Sequence, residues 1–150
     1  MLKTGDKAPD FKVLTDEGKE ITLKELKGKK VILYFYPKDD TSGCTAEACD
    51  FKENIKAFEK ANTIVLGVSK DSVKSHVKFK EKFELPFTLL SDESLDMIKA
   101  YGVWKEKSMY GKKYMGIERT TFIIDEKGII KEIYEKVKVP EHVKEILTKI

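Results

Sequence analysis

Two cysteines are the side chains of this 150-residue sequence best suited to covalent chemistry. Cys44 and Cys49 lie five positions apart in the segment TSGCTAEAC, and the chain has no other cysteine. A cysteine thiolate is a nucleophile and a metal ligand, and its sulfur can be oxidised reversibly. The segment therefore indicates thiol redox chemistry, nucleophilic catalysis, metal binding or, with no chemistry at all, two packed thiols.

The position of Cys44 favours its reactive form. A helix is predicted to begin near residue 42, with Thr41 or Ser42 as its N-cap, which places Cys44 in the first helical turn. Unpaired backbone N–H groups and the positive end of the helix dipole favour a thiolate there. The alternative is an inert cysteine, because free cysteine is among the residue types most often buried.

The spacing of Cys49 from Cys44 predicts a pair that can switch. On one regular helix, the two Cα atoms would lie roughly 8.6 Å apart, with a rise of about 7.5 Å along the axis. A disulfide needs about 4.4–6.8 Å between Cα atoms, so the intact helix keeps the pair apart and unwound first turns would let it bond. The alternative is that Cys49 simply packs in the core beside Ala48.

Other uses of the cysteines fit the sequence less well. The spacing is Cys-x-x-x-x-Cys, whereas thioredoxin-type redox motifs are Cys-x-x-Cys. A zinc site takes about four ligands, and the chain offers only two cysteines and two histidines far along it. A cysteine hydrolase needs a histidine base, but His76 and His142 are both expected on the solvated faces of helices.

Arg119 is a candidate partner for Cys44. It is the single arginine among 29 basic residues, all the others being lysine. A guanidinium is planar and permanently charged, so it could stabilise a thiolate and also hold two oxygens of a substrate. Glu47 and Glu118 are its possible carboxylate partners. The alternative is an ordinary surface arginine with both glutamates solvated.

The elements that must position these residues follow from the apolar pattern. A β-branched and aromatic run at residues 31–36 predicts a buried strand, and the spacing of Cys44, Ala48 and Phe51 predicts a helix over 42–60. The first strand therefore ends where the cysteine segment begins, and ligand sites gather at such strand ends. The remaining predictions are strands at 63–69 and 87–90, helices at 71–84, 94–101 and from 143 onward, hairpins at 11–14 with 21–23 and 120–125 with 129–134, and a loop at 105–116.

Length, composition and element order place the chain among α/β proteins with one domain, residues 1–150. The order β-α-β-α, then a β-hairpin, then a helix predicts a central mixed sheet with helices on both faces and an N-terminal hairpin. The net charge of +3 comes from intermixed charges with no basic block, which argues against nucleic-acid binding.

Apolar runs of about six residues fall short of the roughly 20 that a membrane helix needs. The start of the chain does not look like a signal peptide, so the expected location is the cytoplasm.

The cysteine segment also resembles a known motif. Residues 36–45, with Pro37, Thr41 and Cys44, are similar to the peroxiredoxin active-site motif Pro-x-x-x-Thr-x-x-Cys. Cys49 and the runs at 107–112 and 116–125 resemble the bacterioferritin-comigratory-protein subfamily, and residues 5–11 resemble the usual peroxiredoxin start. The resemblance covers nearly the whole chain in the right order. One departure is Ser42, where many relatives carry a proline.

The resemblance implies a thioredoxin-like fold and a thiol peroxidase that needs no metal, haem or flavin. Cys44 would be the peroxidatic cysteine and Cys49 the resolving one, with Thr41 and Arg119 completing the peroxide pocket. Pro37 and Glu47 are the further residues expected at the pocket. Cys44 would become a sulfenic acid that Cys49 converts to an intramolecular disulfide.

The resemblance further implies the partners. The substrate would be hydrogen peroxide or an organic hydroperoxide, and thioredoxin or a similar dithiol protein would reduce the disulfide. The subfamily favours a monomer or weak homodimer. Two rival functions remain: a general thiol–disulfide oxidoreductase, and a redox sensor or holdase-type binding module that exposes surface when the cysteines switch.

Overall fold

The computed structural model describes residues 1 to 150 as one seven-stranded sheet, a separate two-stranded hairpin and five helices. A single 3-10 turn lies at Lys24–Leu26. The strands are Lys12–Thr15 (β1), Glu20–Thr22 (β2), Lys30–Phe35 (β3), Thr63–Ser69 (β4), Thr88–Ser91 (β5), Trp104–Met109 (β6), Lys112–Ile117 (β7), Thr120–Ile124 (β8) and Ile130–Tyr134 (β9). The helices are Ser42–Glu53 (α1), Ile55–Lys60 (α2), Val73–Phe83 (α3), Asp96–Ala100 (α4) and His142–Leu147 (α5).

The main sheet is mixed, as the sequence predicts. Its strand order is β2-β1-β5-β4-β3-β8-β9. The central strands β3, β4 and β5 run parallel, whereas β1 is antiparallel to β5 and β8 is antiparallel to β3. Because β8 runs against β3, its first residue, Thr120, pairs with Phe35 at the end of β3. The end of β3 and the start of β8 therefore lie side by side at the same end of the sheet.

Strand β3 separates two hydrophobic cores. Its side chains alternate, so Val31, Leu33 and Phe35 pack on the face that carries α4, and Ile32 and Tyr34 pack on the other. The second core also holds apolar side chains of α1, α3 and α5. Each such side chain contributes about 1.5–3 kcal/mol on burial. Alternating apolar residues in β3 thus fix α1 against the sheet.

Both hairpins predicted from the sequence form, whereas two other predicted elements are wrong. The hairpins β1–β2 and β8–β9 form as predicted. The predicted helix over 42–60 is instead two helices, because Asn54 interrupts it and its side-chain amide donates to the Asp50 carbonyl, 2.8 Å away. The predicted loop at 105–116 is the hairpin β6–β7, closed by Tyr110 and Gly111.

None of the five helices combines the length and the apolar character that crossing a membrane would require.

Candidate active site

The first turn of α1 places Cys44 beneath the surface. Thr41 is the N-cap, with an extended backbone, and Cys44 is the third residue of the helix. Only 1% of Cys44 is exposed. The backbone N–H groups of a first helical turn have no partner within the helix, so they point toward this end. The predicted position of Cys44 is confirmed.

Thr41 does not cap the helix with its side chain. Its hydroxyl donates to the Lys38 carbonyl, 2.9 Å away, and Thr41 itself is exposed. Pro37, which is half-buried, follows the buried Tyr36 at the end of β3 and starts the short connection to α1. Thr41 and Pro37 therefore lie on the segment that leads into the Cys44 turn, and neither makes a hydrogen bond to the thiol.

Arg119 joins Cys44 to Glu47. Its Nη2 donates to the Cys44 sulfur at 3.3 Å, and its Nη1 donates to Glu47 Oε1 at 2.7 Å. Arg119 directly precedes β8, whose pairing with the end of β3 brings the guanidinium over α1. One planar fork thus contacts two side chains one helical turn apart, an arrangement that the point charge of lysine does not provide. Glu118, the other carboxylate considered, forms no ion pair.

Glu47 is an unusual partner because it is entirely buried. Its side chain is 0% exposed, and its Oε2 has no hydrogen-bond partner. Burial raises the pKa of Glu47 to about 7, although the charge of Arg119 and its hydrogen bond act in the opposite direction. Burial acts to lower the pKa of Arg119, but Glu47 and Cys44 outweigh that effect and raise it. The guanidinium therefore stays charged beside the sulfur.

Gly43 and Lys107 contribute to the site and were not singled out by the sequence. A Cβ atom on Gly43 would lie 3.2 Å from Arg119 Nη2, so the glycine lets the guanidinium approach the helix backbone. Lys107, on β6, has its pKa lowered by burial and then by the charge of Arg119. It adds a second cation on this side of the molecule. The glycine directly before Cys44 was the one signal in the sequence.

Cys49 lies farther along α1 and is half-buried. Both cysteines are free thiols, and both are in the same unbroken helix. The helix geometry that keeps their Cα atoms too far apart for a disulfide is therefore present. A bond between them requires α1 to lose helical structure at its start.

The two histidines are not solvated, which corrects the expectation from the sequence. His76 is completely buried, where its ring contacts Asp39 and the Leu90 carbonyl. His142 is also buried and contacts the Thr121 hydroxyl, and burial lowers its pKa to about 4. Neither imidazole hydrogen-bonds Cys44, so the hydrolase alternative lacks its base. No three His, Cys, Asp or Glu side chains cluster as metal ligands.

Comparison with known proteins assigns the family. Residues 4–133 match the AhpC/TSA family. Peroxiredoxin Bcp of Bacillus subtilis is 49% identical over 97% of this chain and 93% of its own length. Peroxiredoxin Bcp of Escherichia coli K12 is 43% identical over 94% of this chain and 90% of its own length.

Solved structures agree with this assignment. The bacterioferritin comigratory protein of Xanthomonas campestris, described for its alkyl peroxide reduction activity, is 41% identical with a TM-score of 0.89, covering 93% of this chain and 88% of that one. A cysteine-to-serine mutant of Xylella fastidiosa PrxQ is 39% identical with a TM-score of 0.94, covering 99% and 95%. The thioredoxin-like fold is thereby confirmed. The chain belongs to the AhpC/TSA family and is a peroxiredoxin of the Bcp and PrxQ type, a peroxidase among the oxidoreductases.

Proposed function

We propose that Cys44 is the peroxidatic cysteine and that it reduces hydroperoxides by direct attack of its thiolate. The observation that carries this proposal is the Arg119 fork, which places a permanent positive charge 3.3 Å from the Cys44 sulfur at a helix N-terminus. Such a charge stabilises the thiolate before the reaction and the negative charge that leaves during it. An inert buried cysteine would have no use for a guanidinium held in place by a buried carboxylate.

The first step breaks the O–O bond of the hydroperoxide. The Cys44 sulfur donates an electron pair to the terminal oxygen, the other oxygen leaves with the bonding pair, and it gains a proton to become water or an alcohol. Sulfur is oxidised to a sulfenic acid and the peroxide is reduced. Arg119 and the Cys44 backbone N–H stabilise the developing charge, and the Thr41 hydroxyl joins them once it turns away from the Lys38 carbonyl, to which it donates in the structure. Pro37 shapes the pocket, and Glu47 holds Arg119.

The second step joins the two cysteines. The Cys49 thiolate attacks the Cys44 sulfur, the S–S bond forms as the S–O bond breaks, and the departing hydroxide takes up a proton to become water. Support for this pairing is that the chain has no third cysteine, so Cys49 is the one candidate within the chain. The start of α1 must unwind for this step because both cysteines belong to one helix.

A dithiol protein of the thioredoxin type then reduces the disulfide by exchange. We place this cycle in the cytoplasm, where such reductants keep thiols free. The substrates are hydrogen peroxide and organic hydroperoxides, since the Xanthomonas campestris relative is described as reducing alkyl peroxides. Both reactive cysteines lie on one chain, so a monomer or a weak homodimer is sufficient.

Two serine variants test the roles of the cysteines. We expect Cys44→Ser to abolish peroxidase turnover, because no other group attacks the peroxide. We expect Cys49→Ser to be oxidised once at Cys44 and to form no disulfide within one chain. The measurement is the intact mass and the free-thiol count after one equivalent of hydrogen peroxide. The unmodified protein should lose two hydrogen atoms and both thiols.

Three outcomes would contradict the scheme. Substantial turnover of Cys44→Ser with thioredoxin would remove Cys44 from its role. An internal disulfide in Cys49→Ser would rule out the two-cysteine cycle. Rapid insulin reduction with no reaction toward peroxide would favour the general thiol–disulfide oxidoreductase instead.

A further inference from the structure

A buried polar network surrounds the segment that connects β3 to α1. At its centre is Asp39, which is only 8% exposed. Its Oδ1 accepts a hydrogen bond from the Tyr36 hydroxyl at 2.6 Å, and its Oδ2 accepts from the Ser75 hydroxyl at 2.7 Å. His76 Nδ1 lies 2.7 Å from the same Oδ2. Asp39 is thereby tied to α3, although it lies only two residues before Thr41.

The geometry around His76 requires a charged imidazole. Its Nδ1 faces the Asp39 carboxylate, and its Nε2 faces the Leu90 backbone carbonyl at 2.9 Å. Both of these groups are acceptors, so both ring nitrogens must carry a proton. The side chain is 0% exposed, which makes this a buried ion pair whose loss on one side would strand a charge. Burial opposes this charged state, but Asp39, the Leu90 carbonyl and the charge of Asp71 outweigh it and raise the pKa of His76.

The same segment is also held through its backbone. The Asp39 backbone N–H donates to Asp71 Oδ2 at 2.8 Å, and the Ser69 hydroxyl donates to that same oxygen at 2.7 Å. Asp40, the next residue, has a left-handed backbone with φ of 56°, and its carboxylate pairs with Lys82. A non-glycine residue in this region is held there by its surroundings. The chain is therefore fixed from two sides immediately before α1 begins.

We propose that the Asp39–His76 ion pair anchors the entrance of α1 and that His76 is a positioning residue for Cys44. The anchor holds the segment that delivers the first helical turn to Arg119. It also limits how far the unwinding spreads. When the start of α1 unwinds, the backbone moves only after Asp39, and the end of β3 stays in place. This proposal rests on the two-step scheme proposed above.

The anchor should affect the two chemical steps in opposite directions. Attack on the peroxide needs the first turn of α1 ordered, with the Cys44 sulfur beside the guanidinium. Disulfide formation needs the same turn unwound. A weaker anchor lowers the population of the ordered turn, so the first step slows and the second step accelerates. Replacing a residue that only stabilised the whole fold would not slow sulfenic acid formation and accelerate disulfide formation at the same time.

Two substitutions of His76 distinguish its two contacts. In His76→Asn, the amide nitrogen occupies the place of the imidazole Nδ1, which faces Asp39. In His76→Gln, the amide nitrogen occupies the place of Nε2, which faces the Leu90 carbonyl. If His76 acts through Asp39, His76→Asn keeps the part of the function that depends on the hydrogen bond to Asp39, and His76→Gln loses that part as well. We expect His76→Gln to slow sulfenic acid formation by about tenfold and to accelerate disulfide formation. His76→Asn keeps the hydrogen bond to Asp39 but removes the positive charge, so both of its rates should lie between those of the unmodified protein and those of His76→Gln.

The measurement is rapid mixing with hydrogen peroxide, quenching, and mass analysis of the sulfenic acid and disulfide forms over time. Unfolding in urea is measured for each variant, so that loss of stability is separated from loss of position. Ser75→Ala, which removes one neutral hydrogen bond to Asp39, shows the same trend at smaller size and replaces His76→Gln if that variant does not fold. His142→Gln is the matched control for a buried imidazole. It should not change the rates of sulfenic acid formation and disulfide formation in opposite directions.

The outcomes separate this proposal from the one on which it rests. Unchanged rates in His76→Gln, or equal slowing of both steps in both His76 variants, would overturn the anchor while the two-cysteine scheme stands. Failure of the unmodified protein to form the sulfenic acid and the disulfide would overturn both proposals. A slowed first step with a faster second step in His76→Gln, partly restored in His76→Asn, is the expected result.

Discussion

At the scale of single residues, Arg119 makes the two contacts that define the site. Its guanidinium reaches the Cys44 sulfur with one nitrogen and the Glu47 carboxylate with the other. Only 17% of its side chain is exposed, so both contacts operate in a poorly hydrated environment where charges interact strongly. A single residue therefore both polarises the nucleophile and fixes its own position.

Replacing Arg119 with lysine tests whether the planar fork matters beyond its charge. An ammonium cannot hold Glu47 and the thiol together, so Arg119→Lys should lower the rate of reaction with peroxide by about 10²-fold while the protein stays folded. Stopped-flow measurement of peroxide consumption, with circular dichroism to verify folding, provides the check. A variant within about twofold of the unmodified protein would contradict the role given to the fork.

Glu47 gives a pH-dependent prediction. Its pKa in the folded protein is about 7 against an ordinary value of 4.5, because burial penalises its charged form. A raised carboxyl pKa contributes stability at low pH that is lost as the pH rises from 4.5 through 7. The unmodified protein should therefore lose about 2 kcal/mol of stability relative to Glu47→Gln between about pH 5 and pH 8. Urea unfolding at both pH values measures this difference in the free energy of unfolding. Glu53→Gln, at an exposed position on the same helix, is the matched control. An equal pH dependence of stability in all three proteins would refute the prediction.

At the scale of elements, the start of α1 is ordered but lacks a proline that would restrict its backbone. Ser42 is its first residue and is exposed, and Thr41 before it has an extended backbone with φ of −100° and ψ of 157°. This is the conformation that a following proline imposes, and the first helical position is the one where proline fits. Serine at this position leaves the turn freer to open.

Ser42→Pro should therefore change stability and kinetics together. We expect a gain of about 0.4–1 kcal/mol in the free energy of unfolding, because proline restricts the unfolded chain. Disulfide formation after peroxide should become slower, since the first turn resists unwinding, whereas sulfenic acid formation should not. Ser42→Ala is the control that removes the hydroxyl without restricting the backbone. Faster disulfide formation in Ser42→Pro would contradict the requirement for unwinding.

The hairpin β6–β7 shows why part of the fold escaped prediction. Most of its side chains are exposed, so the alternation of apolar and polar residues that indicates a strand is missing. Its fold comes from strand pairing and from a two-residue turn in which Tyr110 and Gly111 have φ of 52° and 79°. Tyrosine followed by glycine is a weaker turn signal than asparagine followed by glycine. The strands β3, β4 and β8, by contrast, were predictable because they contain runs of β-branched and aromatic residues.

The site could be predicted only as far as local sequence reaches. The position of Cys44 at a helix start follows from Thr41 and the helical spacing after it, both within a few residues. The burial of His76 depends on Asp39, which lies 37 residues earlier in the chain. The residues next to His76 in the sequence do not indicate a partner so far away. Because lysines surround it on α3, His76 is predicted to be solvated. Long-range polar contacts are visible only once the sheet brings them together.

At the scale of the whole molecule, one sheet with a core on each face supports a site where β3 ends and β8 begins. The seven strands and both cores belong to one sheet, and we propose that residues 1–150 form one domain. The cysteines lie on the helix layer rather than in the sheet. Oxidation can therefore disturb α1 without disturbing the strands that lie between the two cores.

Hydrogen exchange should reveal this division. In the disulfide form, amide exchange should accelerate within residues 41–49 and remain slow in β3 and β4. Mass-detected exchange on the reduced and the peroxide-treated protein is the measurement, with Cys49→Ser treated in the same way as the control that lacks the disulfide. Faster exchange throughout the sheet would mean that oxidation unfolds the domain rather than one end of a helix.

The placement of both cysteines on one helix has a practical consequence for work in living cells. Trypsin cuts after lysine and arginine, and the lysines that flank the pair are Lys38 and Lys52, with none between them. Digestion therefore releases residues 39–52 as one peptide that carries both sulfurs. Thiol, sulfenic acid and disulfide forms of that peptide differ in mass, so their proportions can be quantified directly from a digested cell extract. The oxidation state of both cysteines can thus be measured on one peptide, without purifying the enzyme.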